Sequence, residues 1–215
     1  MIGREHRMRP MSSTKLAIAH PKATHPGWLR LTHWINAVAA LAMVFSGWRI
    51  YNASPIFAFT FPESLSMGGW LGGALQWHFA AMWLLFFNGL MYLLLNIISG
   101  RLRSKFFPLS IRGCFADIAA ALRGQLAHDD LNHYNSVQKF AYLFVIVDIA
   151  LLIVSGLAVW KSVQFPILRE LMGGFDNARI VHFFAMAALM LFFVVHIIMV
   201  ALVPRTLVAM LRGRP

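Results

Sequence analysis

The sequence predicts an all-α integral membrane protein, a four-helix transmembrane bundle with both termini cytoplasmic. Three observations carry this. First, the 215 residues are 59% hydrophobic and 13% charged, with a mean hydropathy of +0.65, whereas soluble domains carry about 45–50% apolar and about 25% charged residues. Second, four stretches, at about 29–51, 74–99, 136–160 and 178–203, are long and apolar enough for a helix to cross a bilayer, which takes about 20 residues. Third, Lys and Arg are divided very unequally between the two sides of those stretches. The composition excludes an ordinary soluble enzyme and a disordered chain. The single Cys114 excludes a disulfide framework, a thiolate metal cluster and a covalent Cys-x-x-Cys-His haem site.

In chain order, residues 1–27 form a basic arm with no apolar core. The arm is therefore not read as a cleavable signal peptide, and the first span serves as the insertion signal. No Lys, Arg, Asp or Glu lies between Glu63 and Arg101, or between Arg179 and Arg205, which marks the second and fourth spans. The third span carries one acid, Asp148. The connection 52–73, with Pro55, Pro62, Gly68, Gly69 and Trp70, reads as an outer loop with an interfacial segment. The connection 101–135 is longer, with a short amphipathic helix expected around Ile111–Leu126, and residues 206–215 form a basic tail.

Fifteen Lys and Arg flank the spans on the side of the arm, the 101–135 connection and the tail, against Arg49, Lys161, Arg169 and Arg179 on the other. The heavier side belongs in the cytoplasm. The formal net charge of +11 is thus a topology signal. It does not point to nucleic acid, which needs basic residues interleaved with aromatics on a soluble face.

Of nine histidines, four fall inside spans: His33, His78, His182 and His196. An ionisable residue at membrane depth is costly and points to function, although a lone one is more often a hydrogen-bonded core residue. Here the positions are related. His182 and His196 lie 14 residues apart, which at about 100° and 1.5 Å per residue puts both on one helix face about 21 Å apart. By depth, His33 and His196 belong to an inner layer, and His78 and His182 to an outer one. Gly47 lies 14 residues after His33, in the outer layer, and Gly89 lies 11 after His78, in the inner layer. Each layer thus has a residue without a side chain facing its histidines, as a flat macrocycle between helices requires. Glycine at plain helix contacts is the simpler alternative.

Two imidazoles with no acid nearby suit a haem iron, because a mononuclear zinc usually takes three or four protein ligands while porphyrin supplies its own nitrogens. Two b-type haems, bound non-covalently and six-coordinate, would carry electrons and bind no substrate. Proton-relay histidines are the competing reading.

The stretches HPGWLRLTHWINAVAALAMVFSGWRIYNASP, WHFAAMWLLFFNGLMYLL, HYNSVQKFAYL, NARIVHFF and FVVHIIMV resemble the bacterial di-haem cytochrome b subunits. These are the membrane anchors of nickel–iron hydrogenase, formate dehydrogenase and thiosulfate reductase. The resemblance runs from about residue 25 to 205 and is closest to the thiosulfate-reductase-like cytochromes. It implies a four-span di-haem domain over 28–205, with His33 and His196 on one haem and His78 and His182 on the other. It also implies a quinone pocket beside the inner haem at Tyr134, Asn135 and Gln138, where the simpler role of Asn135 is a helix cap.

Asp148 departs from the family pattern, either as a neutral buried acid or in proton transfer. Arg30 and Arg49 stand at the two faces in position for haem propionates, guanidinium being suited to carboxylates, or they snorkel there. The expected function is electron transfer across the bacterial inner membrane between quinone and a periplasmic redox partner, a molybdopterin-type oxidoreductase. The alternatives are a stand-alone superoxide:quinone oxidoreductase and a haem-free channel or transporter. The outer loops sum to only +1, which gives superoxide little attraction.

Overall fold

The computed structural model describes residues 25–102, 108–123 and 135–213, and among them every regular element is helical. In order these are α1 (Gly27–Ala53), a short 3-10 turn (Glu63–Leu65), α2 (Leu71–Ile98), α3 (Ile111–Leu122), α4 (Ser136–Trp160), α5 (Pro166–Leu171), α6 (Phe175–Leu202) and α7 (Pro204–Arg212). The four apolar stretches are α1, α2, α4 and α6, of 27, 28, 25 and 28 residues. At 1.5 Å per residue they are about 38–42 Å long, more than the about 30 Å hydrocarbon core. Their limits lie within three residues of those expected from the sequence. The basic arm up to residue 24, and residues 124–126 of the amphipathic helix, lie outside the described residues.

The spans form two hairpins. α1 packs along α2 and α4 packs along α6, and no other pair of spans packs as closely. Small residues make these contacts: Ala39, Ala40, Ala74 and Ala81 are buried in the first hairpin, Ala158, Ala178 and Ala185 in the second. Small side chains let helix backbones approach where no hydrophobic effect drives them together. A polar clasp adds to the first hairpin, with Asn88 Nδ2 donating to the Thr32 carbonyl and to Asn36 Oδ1, both at 2.7 Å.

The two ends of the bundle are closed differently. At the end where α1 begins and α7 ends, α3 packs against α4. Asp117 Oδ2 accepts from the Ser136 amide at 2.6 Å, and Lys139 Nζ donates to the Pro108 carbonyl at 3.2 Å. Pro204 cannot continue α6 and opens α7 instead. The expected tail is thus largely a further helix, with Ala209 buried and Gly213 ending it at φ 86°. Arg30 Nη2 donates to the Leu211 carbonyl at 2.7 Å, so α7 is fastened to the start of α1.

At the opposite end, the connection after α1 folds back over the bundle. Phe57, Phe59 and Phe61 form a cluster with Tyr51 of α1 and Phe183 of α6, at ring separations of 5.3–6.5 Å. Asn52 holds Phe61 by two hydrogen bonds, accepting from its amide at 2.9 Å and donating to its carbonyl at 2.8 Å. Arg179 donates to the Ser54 carbonyl, tying α6 to the same segment.

Candidate functional site

α6 supplies one histidine to each of two pairs, and each pair bridges the two hairpins. His33 of α1 faces His196 with ring centroids 6.2 Å apart, and His78 of α2 faces His182 at 6.5 Å. At these separations the nearest ring nitrogens of a pair lie beyond direct hydrogen-bond reach, since ring radii bring them together by only about 2 Å. A metal bonded to one nitrogen of each ring, at about 2.0–2.1 Å per bond, separates the centroids by about 6.3 Å. Both pairs have that spacing. Among the described residues no group of three or more His, Cys, Asp and Glu converges on a metal position. A metal held by either pair must therefore bring further donors with it, as a haem iron does.

Hydrogen bonds fix the tautomers of the second pair. His78 Nδ1 lies 3.1 Å from the Met43 carbonyl and 3.1 Å from Ser46 Oγ. His182 Nδ1 lies 2.9 Å from Ser155 Oγ, whose hydroxyl donates to the Leu151 carbonyl at 2.6 Å. The Met43 carbonyl only accepts, and the Ser155 hydroxyl has given its proton to Leu151, so both Nδ1 atoms carry the proton. Each Nε2 keeps the free lone pair, as a metal-ligating imidazole anchored through its other nitrogen does. Beside the serines, Gly47 and Gly156 leave room for the rings. A Cβ at Gly47 would lie 3.5 Å from His78 Cε1, and one at Gly156 would lie 3.3 Å from His182 Cε1.

The first pair has different surroundings. His33 meets Trp34 edge-on at 5.4 Å, and His196 stacks on Phe192 at 5.7 Å. Neither ring is hydrogen-bonded among the described residues. A Cβ at Gly89 would meet nothing within 4 Å.

The remaining sequence-predicted residues are placed as follows. Arg30 is engaged by Leu211, and Arg49 pairs with Glu63 at 2.7 Å. Asn135 Oδ1 accepts from the Gln138 amide at 2.8 Å, and Gln138 Oε1 accepts from the Asn135 amide at 3.1 Å. This capping box starts α4. Tyr134 lies outside the described residues. Asp148 is 6% exposed, and its Oδ2 has no hydrogen-bond partner. Sequence reasoning missed Ser46, Ser155 and Gly156. The repeated Ser–Gly step, at 46–47 and 155–156, was the available signal.

Comparison with known proteins fits a membrane electron carrier. Residues 24–213 match the model of the prokaryotic cytochrome b561 family. The chain is 63% identical over 191 residues to a protein of Azospira oryzae named "Putative protein-methionine-sulfoxide reductase subunit YedZ1", covering 89% of this chain and 96% of that one. No solved structure matches. That relative's name differs from the thiosulfate-reductase-like subgroup expected from the sequence, so the resemblance holds at the level of the family and not of that subgroup. With the match spanning all four membrane helices, this chain belongs to the prokaryotic cytochrome b561 family and is a multi-pass electron-transfer cytochrome of the inner membrane.

Proposed function

We propose that the chain carries electrons across the inner membrane through two b-type haems, between the quinone pool and a periplasmic protein-methionine-sulfoxide reductase. The observation that supports this best is the spacing of the two imidazole pairs, 6.2 and 6.5 Å between centroids, each matching a bis-histidine iron. His33 with His196 would hold the inner haem, and His78 with His182 the outer one. When bound, each haem supplies a one-electron couple. The choice of partner rests on the relative's name. Reduction of methionine sulfoxide consumes two electrons and two protons and yields methionine and water. Oxidation of one quinol releases two of each, so the exchange balances.

The chain's own residues have the following roles in this reading. Inner and outer refer to the orientation set by the basic residues, with the 1–27 arm and the 206–215 tail cytoplasmic around the 28–205 haem domain. Arg30 and Arg49 face propionates at the two ends with the guanidinium nitrogens that Leu211 and Glu63 leave over. Tyr134, Asn135 and Gln138 line the quinone pocket. The amide oxygens of Asn135 and Gln138 are committed to the cap, so their NH2 groups are the donors that remain for quinone oxygens. The aromatic segment over the outer end keeps water from the outer pair.

The test is haem quantification and optical reduction of the purified protein. Two b haems per chain, reduced by a quinol analogue and reoxidised by the reductase, are expected. One haem or none contradicts the two-haem reading, and haems that superoxide reduces, quinone reoxidises and the reductase leaves untouched favour the stand-alone enzyme. Reporter fusions after Arg212 and near Ser64 check the orientation, with cytoplasm expected at the first and the outer compartment at the second.

A further inference from the structure

The outer histidines are seated by the same two-residue step on two different helices. Ser46–Gly47 of α1 serves His78 of α2, and Ser155–Gly156 of α4 serves His182 of α6. Both serines are fully buried. Each points its hydroxyl at the carbonyl four residues earlier at 2.6 Å, Ala42 for Ser46 and Leu151 for Ser155. A serine that only back-bonds in this way satisfies its own hydroxyl and nothing more. Here the hydroxyl proton is spent on the helix carbonyl, so the oxygen's lone pair is turned to the histidine and accepts the Nδ1 proton. The following glycine keeps the ring edge within 3.3–3.5 Å of where a Cβ would stand. In each hairpin, then, the helix without the outer histidine orients the histidine of its neighbour. The inner pair has no such seat among the described residues and serves as an internal comparison.

From this arrangement we infer that Ser46 and Ser155 are positioning residues of the outer haem site, which lower its redox potential by making His78 and His182 more basic ligands. This rests on the two-haem reading above. Hydrogen bonds to the remote imidazole nitrogen raise ligand basicity and favour the more positively charged metal. Loss of either acceptor removes part of that effect. At His78 the Met43 carbonyl retains the rest.

The test is an optical redox titration of the full-length, haem-loaded protein and of Ser46→Ala, Ser155→Ala and Ser155→Cys. The outer haem is identified as the one missing from His78→Ala. Each alanine variant should shift the equilibrium of the outer haem toward the ferrous form by up to about tenfold, which for one electron is about 59 mV. The inner haem should not move. Ser155→Cys, with a weaker acceptor of similar shape, should fall between Ser155→Ala and the parent. Loss of only the outer haem from a serine variant also supports the seat. Unchanged potentials, a shift of the inner haem, equal shifts of both, or loss of both haems overturn it. A parent protein without two low-spin haems overturns the two-haem reading itself and is a separate result.

Discussion

The outer and inner histidine pairs share a spacing but differ in how they are held. His78 Nδ1 is anchored to Ser46 and the Met43 carbonyl, and His182 Nδ1 to Ser155. Above them the Phe57, Phe59 and Phe61 segment ties α1 to α6. Around His33 and His196 the contacts are aromatic, and His196 is exposed. A ring fixed through hydrogen bonds has one orientation and one tautomer, whereas a ring held by stacking can turn about its own axis. The outer site is therefore preorganised by the protein alone. In the two-haem reading the inner site takes its final geometry from the haem, and it lies toward the end of the bundle that carries α7 and the capping box of α4.

The largest expected contrast comes from the glycines. Gly156→Leu drives a side chain into a position where even a Cβ would sit 3.3 Å from His182 Cε1. The outer haem should be lost or become high spin, as haem spectra would record. Gly89→Leu, in the layer of His33 and His196, should instead perturb the inner haem and spare the outer one. Damage to the same haem from the two variants would break the distinction between the layers.

Next in size is the outer segment. Asn52→Ala removes two hydrogen bonds to Phe61, worth about 1–3 kcal/mol together. Faster proteolysis of the 54–70 connection and easier access of small reductants to the outer haem are expected, with the inner haem unaffected. A smaller effect, about 1 kcal/mol, is expected from replacing Asn135 and Gln138 together by Leu, because the cap of α4 is lost. Haem spectra should persist while quinol-driven reduction slows. Unchanged quinol kinetics would leave these residues with the cap alone. The smallest effect belongs to Glu63→Gln. Its ion pair with Arg49 is mostly solvent-exposed on the Glu63 side, so the thermal midpoint should reflect less than about 1 kcal/mol.

The spans were legible because apolar length is a strong one-dimensional signal, and α1, α2, α4 and α6 fall where the absence of charge put them. The spacing of His182 and His196 was legible for a similar reason, since helical periodicity is fixed. The seats of the histidines were not. Ser46 and Ser155 act across a helix–helix contact, and only the packing of α1 on α2 and of α4 on α6 brings each to an imidazole. Gly47, placed by its register with His33 in the layer of His78 and His182, does border His78 on the neighbouring helix, whereas nothing in the register marked Gly156. The helix after Pro204 was hidden by the basic residues that made it look like a tail. Asp148 stood out in the sequence as an isolated acid, and the structure buries it without a partner for Oδ2.

The central claim is that two haems are shared by histidines from opposite hairpins, His33 with His196 and His78 with His182. The most direct measurement is haem content with potentiometric resolution in the four single His→Ala variants of the full-length protein. The account predicts that His33→Ala and His196→Ala lose or convert the same haem, that His78→Ala and His182→Ala lose the other, and that double replacement within a pair adds little to either single change. Loss of different haems from His33→Ala and His196→Ala would contradict it, as would a protein that keeps both haems low-spin after any one of these replacements.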